Sequence, residues 1–178
     1  MVKLYVVRHG KTDWNNKNLA QGRVDIPLND EGRKEAEKVL KNIDLDKIDI
    51  CFCSPMKRTK ETVEIIVGDK KEIIYDDLLV ERSFGEFEGT VIDDETVFKQ
   101  WDYKLNYKEK NVESLEECLE RGKQFLEKIK KEYSDKTILI VSHGCLIKSL
   151  HFNIIGYDED TDFMSFFPKN ATLYEYDV

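Results

Sequence analysis

The chain has 178 residues, 40% of them hydrophobic and 36% charged, which is enough for one well-cored domain and short for two. Its net charge of -8 argues against a nucleic-acid partner, which would need a basic face, yet leaves room for a small pocket that is locally positive. No apolar run approaches bilayer length, so no membrane partner is expected.

The first predicted element is a strand from Leu4 to Val7. It is apolar without alternation, as in a strand covered on both faces, and too short before the next charge for a signal peptide. A polar loop follows from Gly10 to Asn29. A helix then starts near Asp30, with Ala36, Val39, Leu40 and Ile43 at helical spacing. Ile48 to Cys53 is the second strand. Ser54-Pro55 reads as the start of the next helix, serine as N-cap and proline in the first turn, with Met56, Val63, Ile66 and Val67 as its apolar stripe. Ile73 to Tyr75 is a short third strand.

Residues 81–112 are the least regular part, with Gly85, Gly89, the acidic run Asp93-Asp94-Glu95 and the aromatics Phe98, Trp101, Tyr103 and Tyr107. A helix is expected around Trp101. Ser114 and Glu117 form a capping-box pattern before a long helix whose stripe is Leu115, Cys118, Leu119, Gly122, Phe125, Leu126, Ile129 and Tyr133. Thr137 to Ser142 is the fourth strand, Leu146 to Ile155 a helix with Gly156 just past its end, and Leu173 to Tyr176 a final edge strand. The alternation predicts an α/β fold: one domain over residues 1–178, a three-layer α/β/α sandwich around a mixed, mostly parallel central sheet. Cys51, Cys53, Cys118 and Cys145 form no Cys-x-x-Cys pair and sit in apolar surroundings. They read as reduced core thiols, and the protein as cytoplasmic.

Charged groups recur just after apolar strands. Arg8-His9 follows the first, Arg58 lies in the first helical turn after the second, and His143-Gly144 follows the fourth. Open α/β sheets bind ligands at the carboxyl ends of their strands, so two arginines and two histidines should meet at one edge. Helix starts at Pro55 and after Gly144 would add free N–H groups, and guanidinium forks grip phosphate oxygens. Singly, each has a plain structural explanation: a capped strand end for His9, a solvated helix start for Arg58. Their repetition points to an anion pocket.

The ordered motifs resemble the histidine phosphatase superfamily, also called phosphoglycerate mutase-like, over essentially the whole chain. The resemblance runs through Arg8-His9-Gly10-Lys11-Thr12-Asp13-Trp14-Asn15, then Gln21-Gly22 with Asp25, Pro27-Leu28 and Gly32, then Ser54-Pro55 with Arg58 and Thr62. It continues through Glu81, Phe84-Gly85, Phe87-Glu88-Gly89, Glu113-Ser114, Arg121, Ser142-His143-Gly144 and Asn170-Ala171-Thr172. It implies that His9 attacks phosphorus and is transiently phosphorylated, its other ring nitrogen donating to a nearby oxygen. Arg8, Arg58 and His143 would surround the phosphoryl oxygens, and Glu81 would pass the proton. Asn15, Gln21, Gly22 and Gly144 would complete the substrate site, with no cofactor and no metal. The partner would be a small phosphorylated metabolite.

Mutases of this family typically follow Glu81-Arg82 with His-Tyr and carry an arginine-bearing insertion. Here Ser83-Phe84 follows, and residues 90–112 contain lysines (Lys99, Lys104, Lys108, Lys110) but no arginine. The expectation is therefore a phosphatase resembling the alpha-ribazole phosphatase type, with 81–112 as its substrate-specificity segment. A mutase, or a phosphate-binding regulatory module without turnover, is the alternative. His151 and Glu88 read as structural, Lys11 as a residue bordering the site, and a sheet edge or the Trp101 region as the place for a homodimer contact.

Overall fold

The structure is a computed structural model describing all residues 1–178. Its sheet has five strands: β1 (Lys3–Arg8), β2 (Ile50–Cys53), β3 (Ile73–Tyr75), β4 (Thr137–Ser142) and β5 (Leu173–Asp177), in the order β3-β2-β4-β1-β5. β1, β2, β3 and β4 are parallel, and β5 closes one edge antiparallel to β1. Six helices accompany them: α1 (Asp13–Asn16), α2 (Asp30–Asn42), α3 (Lys57–Val67), α4 (Asp94–Trp101), α5 (Leu115–Glu132) and α6 (Gly144–Ile155). None is long and apolar enough to cross a membrane.

The pleat sends successive side chains to opposite faces, and both faces are apolar. Leu4, Val6, Phe52, Ile138 and Ile140 pack with Leu119, Phe125, Leu146 and Leu150 of α5 and α6. Val7, Cys51, Cys53, Leu139 and Val141 pack with Val39, Val63 and Ile66 of α2 and α3. The fold is thus a three-layer α/β/α sandwich, with all four cysteines buried as free thiols. The capping box of α5 forms, Ser114 accepting from Glu117 N–H at 3.1 Å and Glu117 from Ser114 N–H at 2.8 Å.

Three local expectations fail, for identifiable reasons. The Gly10–Asn29 segment is not all loop: α1 is a single turn, too short for a periodic signal, closed by a capping box between Thr12 and Asn15. Ser54 does not cap α3. The helix starts two residues after Pro55, at Lys57, whose N–H donates to Asp25 Oδ1 at 2.7 Å, and the Ser54 hydroxyl is used elsewhere. Leu40 lies on the exposed side of α2, so the buried stripe there is Ala36, Val39 and the capping Ile43.

The segment after β1 is held against α2 by backbone-to-backbone contact. A Cβ on Gly32 would run into the carbonyl oxygen of Lys11, and one on Gly10 into that of Gly32. Alanine in place of glycine ordinarily favours a helix by up to about 1 kcal/mol. Here Gly32→Ala is expected to destabilise by about 1–3 kcal/mol, the usual range for overpacking, read from the urea midpoint. A gain in stability would show that this contact yields freely.

Candidate active site

Parallel pairing assembles the centre. β1 and β4 end in register, Arg8 opposite Ser142, and the His9 N–H continues the ladder to Ser142 O at 3.0 Å. β2 ends one step away, with Ser54 N–H on Val141 O at 3.1 Å. His9, His143 and Ser54 therefore leave the sheet side by side, and the two imidazole rings meet edge-on with centroids 5.3 Å apart.

His9 is 2% exposed. Its Nδ1 lies 2.7 Å from Gly10 O, and a carbonyl can only accept, so Nδ1 carries the proton and Nε2 keeps its lone pair. Burial, reinforced by the charges of Arg58 and Arg8, holds the imidazole well below its ordinary 6.5. The loop is pinned from two sides: Gly10 N–H donates to Thr62 Oγ1 at 3.1 Å, and Asn170 Nδ2 donates to His9 O at 2.9 Å.

Arg58 is fully buried and still richly bonded, donating from Nη1 to Val24 O and from Nη2 to Gly22 O, each at 2.8 Å, and from Nε to His143 Nδ1 at 3.1 Å. Gly22 meets this geometry at φ +47°, and any Cβ there would overlap the Glu88 carboxylate. Arg8 donates from Nη1 to Pro168 O at 2.9 Å, stacks over Phe167, and leaves Nε unpartnered. Gly144 makes room for it, since a Cβ there would come 3.3 Å from the guanidinium carbon. Asn15 accepts at Oδ1 from both Thr12 N–H and Thr12 hydroxyl, which fixes its amide and leaves Nδ2 as a donor.

Glu81 is 7% exposed and sits on the start of α6. Its Oε1 accepts from Arg82 N–H at 2.9 Å, Cys145 N–H at 3.1 Å and Leu146 N–H at 3.3 Å. Oε2 has only a longer bond from the shared Cys145 N–H. Arg121 anchors the backbone behind it, donating to Leu78, Val80 and Glu81 carbonyls while paired with Glu113 at 2.8 Å.

Arg8, His9, Asn15, Gln21, Gly22, Arg58, Glu81 and Gly144 all line one cavity of about 300 Å³. Its further walls, Trp14, Phe84, Val97, Gln100, Trp101 and Phe167, carry no chemical signature in the sequence beyond the aromatics of 81–112. His143 is the exception among the expected contacts. It is fully buried, accepts from Arg58 at Nδ1, donates from Nε2 to Ser54 Oγ at 2.7 Å, and is absent from the cavity wall. It thus packs against the His9 ring and directly beneath the Arg58 guanidinium. The helix N-termini are likewise not free: Asp25 occupies that of α3 and Glu81 that of α6, so Gly144 N–H is the donor left over there.

Lys11 turns to Glu31 on α2, at 2.6 Å, rather than to the cavity. Lys99, Lys104 and Lys108 pair with Glu95, Asp160 and Glu117, and Lys110 rests over Phe87, so none lines the cavity. Glu88 clamps Arg23 and Phe84 N–H groups, and His151 stacks on Phe166 and meets the Tyr176 hydroxyl, both as structural residues. No group of three or more His, Cys, Asp or Glu side chains is placed to hold a metal ion.

The chain resembles known proteins over most of its length. The chain is 36% identical over 161 residues to the uncharacterized phosphatase PhoE of Bacillus subtilis, covering 90% of this chain and 81% of that protein. It is 30% identical over 181 residues to phosphoserine phosphatase 1 of Hydrogenobacter thermophilus, covering 97% and 84%. Identity is 32% over 163 residues to 2,3-bisphosphoglycerate-dependent phosphoglycerate mutase 2 of Gloeobacter violaceus, covering 84% and 74%. A mutant phosphoserine phosphatase from Entamoeba histolytica in complex with phosphoserine has TM-score 0.87 at 28% identity, covering 98% of this chain and 90% of that one. The alpha-ribazole phosphatase from Shigella flexneri shares the fold, with TM-score 0.83 at 22% identity, covering 99% and 90%. The profile of the histidine phosphatase superfamily (branch 1) matches residues 4–178. With nearly the whole chain matched and the strand-end histidines and arginines in place, the chain belongs to the histidine phosphatase superfamily.

Proposed function

We propose that this chain hydrolyses a small phosphomonoester through a phosphohistidine on His9, without a metal. The observation that carries the reading is the His9 imidazole itself: neutral, tautomerically fixed by Gly10, and placed with Arg8, Arg58 and Glu81 on one small cavity. Relatives named as phosphatases support it. The segment 81–112 supplies Glu81, Phe84, Ile92, Val97, Gln100 and Trp101 to the wall, which supports its role in specificity. We place the protein in the cytoplasm, in keeping with its buried free thiols. A homodimer across the face bearing exposed Phe98 and Leu105, next to Trp101, belongs to the same reading.

The chemistry follows from the geometry. The Nε2 lone pair attacks phosphorus, the P–O bond to the alcohol breaks, and the alcohol oxygen takes a proton from Glu81. Arg8, Arg58, Asn15 Nδ2 and Gly144 N–H bear on the oxygens that gain charge, and the two guanidinium groups supply what a metal supplies elsewhere. Glu81 then takes a proton from water as the water attacks phosphorus. The P–N bond breaks, its electron pair returns to Nε2, and phosphate leaves with Glu81 protonated again. His143 positions Arg58 and packs the His9 ring. A mutase must instead hold the second anionic end of a glycerate near residues 90–112, where every lysine is engaged away from the cavity.

A panel of phosphomonoesters that includes phosphoserine, assayed for phosphate release in chelator, is expected to show turnover. His9→Ala should lower it at least about a thousandfold with its circular dichroism intact. Phosphate binding without turnover across the panel would leave a binding module instead. Interconversion of 3-phosphoglycerate and 2-phosphoglycerate with a bisphosphoglycerate primer, releasing little phosphate, would make the chain a mutase.

Glu81→Gln should cost about 10²–10⁴ in rate on alkyl phosphates, whose leaving oxygen needs a proton. The loss should be much smaller on p-nitrophenyl phosphate, whose leaving group does not. Equal losses on both would deny Glu81 the proton-donor role.

Stability follows the same imidazoles. His9 and His143 are both held well below 6.5 by burial and by Arg58, while in the unfolded chain they titrate near 6.5. Above that pH both states are neutral and the folded state has its full stability. As pH falls through 6.5 the unfolded chain binds protons that the folded chain does not, so stability drops by up to about 1.4 kcal/mol per pH unit for each ring. The thermal midpoint should therefore fall between pH 6.5 and 5, and less steeply in His9→Asn. An unaltered slope in that variant would remove His9 as a source.

A further inference from the structure

Two aromatic walls of the cavity come from distant parts of the chain and meet on one buried cation. Trp101 ends α4, inside the segment 81–112, and is buried. Phe167 lies in the stretch between α6 and β5 and is 52% exposed, so it stands at the rim. Both rings line the cavity. Lys148 does not line it and sits behind them, 1% exposed. Its ammonium lies 3.6 Å from the ring centroid of Trp101 and 5.0 Å from that of Phe167. It has no hydrogen-bond acceptor, and the two rings stand where one would be.

The helix explains how the ammonium reaches this place. Lys148 lies one turn along α6 from Gly144 and Cys145, which line the cavity. Side chains on a helix lean toward its N-terminus, so the lysine runs back toward those residues and ends at the two rings. Each ring is also held from elsewhere. The Arg82 guanidinium stands 5.0 Å from Trp101 and fixes the end of α4 by donating from Nη1 to Gln100 O at 2.9 Å. Arg8 stands 5.4 Å from Phe167 and donates to Pro168 O at 2.9 Å. The rim is therefore anchored to a phosphate-facing arginine, and Lys148 joins that rim to the specificity segment.

This joint depends on charge. An ammonium over a ring face is attracted by the ring quadrupole, most strongly when desolvated, and a neutral amine loses that attraction. Cation–π contact returns only part of the hydration that burial removes, and the Lys148 ammonium is lowered to about 8. Burial is the main cause. Arg82 lowers it further, while Cys145 on its own helix, Cys118 on α5 and Asp162 on the stretch that carries Phe167 raise it. The group is thus cationic in about nine molecules of ten at pH 7 and in about one of ten at pH 9. Other groups of the site stay in one state over that range. Burial holds His9 and His143 well below it and the Cys118 and Cys145 thiols above it, Arg58 titrates only at about 10, and a phosphomonoester is already a dianion, with its second ionisation near about 6.

We propose that Lys148 is a positioning residue whose ammonium ties Trp101 to Phe167 from behind the cavity, holding the specificity segment and the rim in the arrangement that binds substrate. Substrate affinity then falls as pH rises from 7 to 9, because the tie is present in the cationic form and lost in the neutral one. The inference rests on the phosphatase reading for turnover, but binding and spectroscopy test it without turnover. The dissociation constant of p-nitrophenyl phosphate is to be measured by calorimetry from pH 7 to 9 on the His9→Ala protein, alone and with Lys148→Met or Lys148→Arg. The KM and kcat for the same ester are to be measured on the variants with His9 present. The two tryptophans, Trp14 and Trp101, each give one indole N–H signal in nitrogen-15 NMR, assigned by whichever of Trp14→Phe and Trp101→Phe folds.

The dissociation constant and KM are expected to rise about three- to tenfold between pH 7 and 9 with lysine present, with kcat changing less. Lys148→Met should show the weakened affinity already at pH 7 and no further change. Lys148→Arg, cationic throughout, should keep affinity flat and closer to the pH 7 value of the parent. The Trp101 signal should titrate near pH 8 in the parent and not in either Lys148 variant. Affinity that does not change between pH 7 and 9 in the parent, or that changes equally in Lys148→Arg, overturns the tie. So does a Trp101 signal without a titration near pH 8. Should Lys148→Met not fold, the parent and Lys148→Arg decide between these outcomes. Binding that follows Lys148 in a chain without turnover supports the tie and removes the phosphatase reading. Turnover with a KM indifferent to pH over this range keeps that reading and removes the tie.

Discussion

Burying the Arg58 guanidinium is the constraint around which the site is organised. A fully buried fork with five N–H groups is tolerable only when acceptors surround it. Gly22 and Val24 carbonyls and His143 Nδ1 provide them, from a loop after β1 and from the end of β4. Meeting that demand turns the Gly22–Val24 loop inward, sets the left-handed backbone of Gly22, and fixes the tautomer of His143, whose other nitrogen must then donate to Ser54. The same helix turn reaches His9 through Thr62, which donates to Arg58 O and accepts from Gly10 N–H. One buried cation thus ties three strand ends together and lowers the proton affinity of the imidazole between them.

A second assembly, built from backbone carbonyls, places Glu81. Arg121 and Arg23 share Glu113 and converge on the Glu81 carbonyl, so the chain entering the site is held by its main chain while the carboxylate points onto α6. That leaves one carboxylate oxygen saturated by N–H donors and the other sparsely bonded.

Local rules carried much of this from the sequence. The capping box of α5 was legible because Ser114 and Glu117 report on each other within one turn, and strands β1 and β4 because both faces are apolar. Ser54 was misread because a hydroxyl before a helix looks the same whether it caps that helix or meets His143, 89 positions away. Glu81 looks like any surface carboxylate outside the family resemblance, since its donors come from α6. The helix starts read as free anion sites were already filled by Asp25 and Glu81, a competition within the chain that no local pattern reveals. Gln100 and Lys148 were silent: a glutamine and a lysine on helices are read as solvated until the packing buries them.

The unpartnered Arg8 Nε bears on how long such a molecule persists in a cell. An anion that binds the folded chain there gains this donor and stabilises the fold by mass action. Under the proposed reading, saturation at a hundred times the dissociation constant adds about 2.7 kcal/mol and lowers the unfolded fraction about a hundredfold. Proteases that sample the unfolded chain would then clear the enzyme when its phosphorylated ligand is scarce and spare it when the ligand is abundant. Enzyme lifetime would thereby follow ligand supply through the occupancy of its own pocket.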